Sequence, residues 1–221
     1  MTRLTVNDLA RVVYSSGKVF DGLGTGRLDT ERFLRSGDTT GVTSRADLAL
    51  LQDLRDVAQF VIDHGGRPID AAHVREVNAQ LTRSAALHPG QYRSEAQGIG
   101  VRTRYGVHRP PAVDDASMQR LLDQSRSTDP EAEAVNLFVA LAKAQPFEDG
   151  NKRTALFVAN SRLIGAGHDQ LLAIPVDEDD PGVADAFNDA LARAYVFDDD
   201  AAVQQMLHEH GLFARDGNGV R

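Results

Sequence analysis

Residues 145–156 read Gln-Pro-Phe-Glu-Asp-Gly-Asn-Lys-Arg-Thr-Ala-Leu, and the segments on either side of this stretch decide the fold. Upstream, Asp129 is a helix N-cap with Pro130 at the first helical position, where the missing N–H is no loss. Ala134, Val135, Leu137, Phe138, Val139, Ala140 and Leu141 are apolar on nearly every side, so the spacing predicts a core helix from Asp129 to about Ala144. Downstream, a second helix starts at about Asn151, carries Leu156, Ala159 and Leu163 on one stripe, and stops at Gly165 and Gly167. Two buried helices and the short loop between them are the centre of the chain.

That loop is chemically unusual. Asp149-Gly150-Asn151 delivers the chain into a helix N-terminus, with Lys152 and Arg153 in its first turn. Cations there oppose the helix dipole, which favours carboxylates. A bound anion reverses the penalty: backbone N–H groups, the positive helix end, a flexible Gly and two cations together describe a phosphate cradle. Asp149 beside it is placed to hold a Mg²⁺ that also touches the phosphates. An isolated Gly-Asn-Lys-Arg would be read as an ordinary turn with its cations in water; the whole twelve-residue arrangement argues for the cradle.

Residues 146–153 match, position for position, the pattern Pro-Phe-x-Asp/Glu-Gly-Asn-Gly/Lys-Arg, and in this the chain resembles the Fic/Doc family. The resemblance implies an all-α fold, a Fic/Doc-type helical bundle with a small β-hairpin flap beside the active-site loop. It also implies ATP or another nucleotide as the bound cofactor together with Mg²⁺. By that likeness Asp149 is the metal ligand, Gly150 and Asn151 form the anion cradle, Arg153 clamps the phosphates, and Phe147 packs under the loop. Lys152 stands where most AMP-transferring members carry Gly, and Lys there also occurs in Doc, which transfers the terminal phosphate. Two departures matter. Gln145 occupies the position of the family's catalytic His, and Leu156 that of a second Arg found in many members.

The substitution at 145 bears directly on activity. An amide orients a hydroxyl but has no usable pKa and accepts no proton. Losing a general base costs about 10²–10⁴-fold in rate, while the cradle itself is untouched. Three explanations stand: a natural pseudo-enzyme, a different base or an already activated nucleophile, or a replacement introduced to silence the protein. The expected function is thus a nucleotide-binding protein related to protein AMP-transferases, with reduced or altered transfer. The alternatives are a Doc-like phosphotransferase toxin and a non-catalytic, antitoxin-like regulatory module.

The rest of the chain sets bounds. A net charge of −8 gives no general attraction to nucleic acid or an anionic membrane, so neither is expected as a partner. No cysteine is present, which removes disulfides and thiolate metal sites. No long apolar run follows Met1-Thr2-Arg3-Leu4, so the simplest expectation is a cytoplasmic protein. The expected organisation is an N-terminal helical extension at 1–42, a Fic/Doc-like domain at 43–213 and a frayed tail at 214–221.

In chain order, residues 5–14 suggest a short helix, Ser15 to Gly26 a glycine-rich loop, and Asp29 the cap of a second helix through Phe33 and Leu34. Many Fic proteins carry near here an inhibitory Ser/Thr-x-x-x-Glu-Gly/Asn segment. Ser15 to Gly22 comes nearest, but its acid is Asp21 and lies one residue too far from Ser16, so no working inhibitory motif is expected. Helices follow at Thr43 to His64 and from Asp70 to about Ser84. His64 and His73 read as surface or satisfied histidines. His88-Pro89-Gly90-Gln91-Tyr92-Arg93 resembles a recurring Fic segment, Pro-Gly-x-Phe/Tyr-Arg. Residues 97–110 change to glycines and β-formers, predicting a hairpin; by the resemblance this is the flap, which would bind a target protein by strand addition. Arg102, Arg104 and Arg109 there suit an acidic target or a nucleotide, or simply solvent. A regulatory protein or a second copy of the chain are further partners the resemblance admits. A helix at 114–125, an extended piece at 171–176 and two closing helices complete the chain. His208-Glu209-His210 lacks the i, i+4 spacing of a helical zinc pair.

Overall fold

A computed structural model describes residues 4–84 and 87–215. Its centre is the expected pair. Helix α6 (Pro130–Ala144) is capped by Asp129, whose carboxylate accepts from the Glu131 N–H at 3.1 Å, and helix α7 is Asn151–Gly165. From Arg153 to Ser161 every α7 side chain is buried, because the helix is surrounded. It packs against α6, against α3 (Arg45–Asp63) and α4 (Ala71–Asn78), and against α1 (Ala10–Asp21) at its N-terminal side.

Helix α1 corrects the expectation of a loop from Ser15 to Gly26. The small residues are there for close packing. Ser15, Ser16 and Gly17 are buried. Ser15 Oγ bonds the Val12 carbonyl at 3.2 Å and accepts from the Ile174 N–H at 3.0 Å. A side chain at position 17 would come within 3.0 Å of Leu23. The helix stops at Gly22, which takes a left-handed φ of 67°. Helix α2 (Arg27–Ser36) is capped by Gly26 rather than Asp29, which lies in the first turn and pairs with Arg32 at 2.9 Å.

Ser44 and Asp70 cap α3 and α4 by accepting from the N–H groups of Asp47 and His73. Helix α4 ends at Asn78, short of the expected Ser84, because the N–H groups of residues 82–84 turn to a buried carboxylate on α3, that of Asp53. The hairpin forms where expected: β1 (Val101–Thr103) pairs antiparallel with β2 (Gly106–His108), Val101 opposite His108. Helix α5 (Asp115–Gln124) precedes α6.

After α7 the extended piece is strand β3 (Gln170–Leu172). It pairs with β4 (Leu212–Ala214), which follows α8 (Gly182–Phe197), α9 (Ala201–Met206) and a π-helical turn at Leu207–Gly211. This second small sheet was not anticipated. It also draws in the first residues of the expected tail, with Ala214 in β4 and the Arg215 N–H donating to the Asp169 carbonyl at 2.9 Å; residues 216–221 of that tail lie outside the described residues. Asn160 joins α7 to the sheet by giving its amide N–H to the Leu172 carbonyl at 2.8 Å and accepting from the Leu172 N–H at 2.9 Å.

Candidate functional site

The loop from α6 to α7 is fixed by its own side chains. Gln145 ends α6 in a left-handed conformation, φ 45° and ψ 54°, which is uncommon outside glycine. Its Nε2 donates to the Ala142 carbonyl at 2.6 Å, and its Oε1 accepts from Asn151 Nδ2 at 3.2 Å. Both ends of the amide are therefore engaged in holding the turn. Asn151 bonds the Phe147 N–H (2.8 Å) and carbonyl (3.0 Å) as well, so its side chain is a staple inside the loop and only its backbone faces an anion. Phe147, expected among the cofactor-binding residues, is 1% exposed and packs under the loop 5.5 Å from the Tyr92 ring, outside the lining of the cleft beside it.

The floor of the loop explains its glycine. Gly150 has φ 72°, and a Cβ there would come within 2.5 Å of Leu81. The N–H groups of the first α7 turn have no intrahelical acceptor and mark the positive end of the helix. Beside them lies a cleft of about 220 Å³ lined by Gln145 and by every residue from Glu148 to Arg153, with Phe20 and Asp21 of α1 and Ile99 to Val101 of the hairpin side. A second cleft, about 530 Å³, opens between the hairpin and α8 and shares Val101 and Lys152 with the first.

The charges in the first cleft are arranged unevenly. Arg153 is 3% exposed; Nη1 donates to Ser84 Oγ at 2.9 Å, while Asp21 and Asp149 lie 3.5 and 3.6 Å from Nε and Nη2. Asp149 points largely to solvent, its side chain 58% exposed. Lys152 lies over the Phe20 ring at 4.6 Å, and burial holds its pKa below the usual lysine value despite Asp21 nearby. Burial likewise raises the Asp21 carboxyl, an effect that Arg153 opposes and Asp149 reinforces. Of the three carboxylates lining the cleft, Asp21, Glu148 and Asp149, the last is the most exposed, and Mg²⁺ is commonly held by one or two carboxylates plus substrate phosphates. Asp149 fits that role.

Four contributors went unassigned in the sequence. Arg93, inside the quoted Pro-Gly-x-Tyr-Arg segment, is 4% exposed. It donates to the carbonyls of Gln145 (2.6 Å), Pro110 (2.6 Å) and Pro111 (3.1 Å), tying the loop to the base of the hairpin. The same segment pairs with the loop through Tyr92 and Phe147. Asn78 bonds the Asp149 carbonyl (3.2 Å), Thr154 Oγ1 (3.0 Å) and the Gly90 N–H (2.8 Å); nothing local in the sequence signals this. Ser84 carried no signal either. Asp21 was set aside on spacing, yet α1 carries it to Arg153.

The remaining candidates lie elsewhere. Arg104 pairs with Asp189 and stacks over Tyr105, and Arg102 and Arg109 are exposed. His73 is 1% exposed with Nε2 3.1 Å from Ser161 Oγ, and His64 Nδ1 meets the Phe60 carbonyl at 2.8 Å. Among the described residues no three His, Cys, Asp or Glu side chains gather to hold a metal ion, and no helix is long and apolar enough to cross a membrane.

Residues 68–163, which include the whole loop, match the Fic/DOC family model. The match spans less than half of the chain, and the similarity to the Fic/DOC family rests on this segment. The fold is similar to that of a Fic domain containing signaling protein from Bacteroides thetaiotaomicron VPI-5482, with TM-score 0.70 and 19% identity, covering 95% of this chain and 87% of that one. Fic-1 of C. elegans gives TM-score 0.67 at 18% identity, covering 91% of this chain and 59% of that one. The present chain thus spans less than two thirds of the Fic-1 structure, and at these identities the likeness is one of fold. No curated protein matches the chain in sequence. Leu156 is fully buried at 0% exposure, so it belongs to the core and not to the cleft.

Proposed function

We propose that this chain is a Fic-type nucleotide-binding protein related to protein AMP-transferases, binding ATP with Mg²⁺ at the α6–α7 loop and transferring AMP to a protein hydroxyl slowly. The observation that carries the reading is the buried Arg153 guanidinium beside the α7 N-terminus, in a cleft closed on one side by the turn at Gly150. Donors fixed before the ligand arrives stabilise phosphate charge without reorganisation, the main contribution a protein makes to nucleotidyl transfer. Backbone N–H groups of the first α7 turn orient the phosphates, Arg153 offsets their charge, and Asp149 would hold Mg²⁺, which neutralises phosphate charge when bound. The free edge of the hairpin beside the cleft suits an extended target segment.

Slow transfer follows from Gln145. Its amide is neutral and held by Ala142 and Asn151, so it takes no proton from an attacking hydroxyl. Transfer of the terminal phosphate is the second reading, favoured by Lys152, a cation shared by both clefts.

Calorimetry with Mg·ATP tests the proposal. The parent is expected to bind, and Arg153→Ala to weaken binding at least tenfold, the scale of one hydrogen bond to a charged group. No binding by the parent, or equal binding by the variant, sinks the nucleotide reading and leaves a partner-binding module.

A further inference from the structure

Among the described residues, the one hydrogen bond of the Arg153 guanidinium goes to an uncharged group, with two carboxylates as longer ion-pair partners. Nη1 donates to Ser84 Oγ at 2.9 Å, while the carboxylates of Asp21 and Asp149 stand off at 3.5 and 3.6 Å. Ser84 itself is not free to turn. Its Oγ–H donates to Asp53 Oδ2 at 2.8 Å, and its N–H donates to the same oxygen at 2.7 Å. A carboxylate only accepts, so the hydroxyl proton is committed to Asp53 and a lone pair is left facing Arg153.

Asp53 anchors this arrangement from α3. It is 0% exposed, and a buried charge persists only when fully hydrogen-bonded. The partners are the N–H groups of Thr82 (3.2 Å), Arg83 (2.9 Å) and Ser84, the Ser84 hydroxyl, and Arg83 Nη1 (3.0 Å). Three successive backbone donors thus wrap one carboxylate. The 82–84 turn is locked onto α3, and the locked turn carries the one hydroxyl that holds Arg153.

We propose that Ser84, fixed by Asp53, is the positioning residue for Arg153, setting where the guanidinium stands through a neutral acceptor that adds no further negative charge beside it. The proposal rests on the reading of Arg153 as a phosphate clamp. A carboxylate at 84 would fix the side chain equally well but neutralise it. With no acceptor at 84, the guanidinium is drawn onto Asp21 and Asp149, both already within ion-pair range, and a phosphate must compete with them. The hydroxyl is the acceptor that holds without neutralising.

A double-mutant cycle tests this, read by calorimetry with Mg·ATP on the parent, Ser84→Ala, Arg153→Ala and the double variant, each checked for parent-like melting. Ser84→Ala is expected to weaken binding about tenfold. Ser84→Thr, which keeps the hydroxyl, is expected to bind like the parent, and Ser84→Ala is expected to add nothing once Arg153 is Ala. A purely structural serine would weaken binding in both backgrounds, and that outcome overturns the proposal. So does Ser84→Ala binding as tightly as the parent while Arg153→Ala does not. Absence of Mg·ATP binding in the parent overturns the clamp reading itself and this inference with it. Should Ser84→Ala melt early, the Thr variant and the Arg153→Ala comparison still decide: loss of binding in the folded Thr variant counts against the hydroxyl.

Discussion

Gln145 holds the α6–α7 loop with its backbone and its side chain alike. The Gln145 backbone is left-handed, its amide ties the last turn of α6 to Asn151, and its carbonyl takes the Arg93 side chain. The residue therefore shapes the cradle it does not serve as a base. On the proposed function, Gln145→His supplies a side chain with a usable pKa where a proton acceptor is missing. The expected result is a gain in AMP transfer from ATP onto protein hydroxyls of about 10²–10⁴-fold, read with labelled ATP. Melting temperature should fall slightly, since two hydrogen bonds of about 0.5–1.5 kcal/mol each are disturbed. Unchanged transfer in a folded variant that still binds Mg·ATP would rule out the missing base as the cause of slow chemistry. Leu156 gives the limit of such repair. It is buried among core side chains, so putting Arg there would strand a charge rather than complete a site.

At the scale of elements, α1 shows where sequence reading succeeds and where it stops. The α6–loop–α7 unit was legible because an N-cap, a proline, an apolar run and a signature loop all agree, and the hairpin because glycines and β-formers interrupt helical period. Helix α1 is not legible because Ser15, Ser16 and Gly17 are loop formers by composition, whereas their reason for being there, contact with Leu23 and the Ile174 N–H, is tertiary. The consequence reaches the site, because the last turn of α1 presents Asp21 to Arg153. Burial raises the Asp21 carboxyl above its ordinary 3.8. The folded protein then holds that proton more readily than the unfolded chain, and stability is lost as pH rises from 3.8 through the raised value. Asp21→Asn does not ionise. It is expected to melt above the parent at neutral pH, to lose that advantage below about pH 3.8, and to bind Mg·ATP more tightly at neutral pH because one anion facing Arg153 is gone. Melting curves across pH and parallel titrations check both parts; a melting difference that ignores pH would contradict the first.

At the scale of the whole molecule, the core is continuous across the position where the sequence suggested an N-terminal extension to end. Leu9, Val12, Val13, Tyr14, Leu23 and Phe33 are buried in the same cluster as Leu156, Phe157 and Phe187, and α1 packs on both α3 and α7. Burying one large apolar side chain contributes about 1.5–3 kcal/mol, while a whole domain is stable by only about 5–15 kcal/mol. Uncovering the α3 and α7 surfaces that these six side chains pack against therefore costs an amount comparable with that whole margin. Removal of residues 1–42 is therefore expected to abolish cooperative folding, not to trim an appendage. It also takes Phe20 and Asp21 from the cleft wall. Thermal unfolding of the full chain should show one transition, and Mg·ATP at about a hundred times its Kd should move that transition as a unit, by the equivalent of about 2.7 kcal/mol. A shortened chain that still melts sharply and still responds to Mg·ATP would mean that α1 and α2 are held by the rest of the core without helping to hold it.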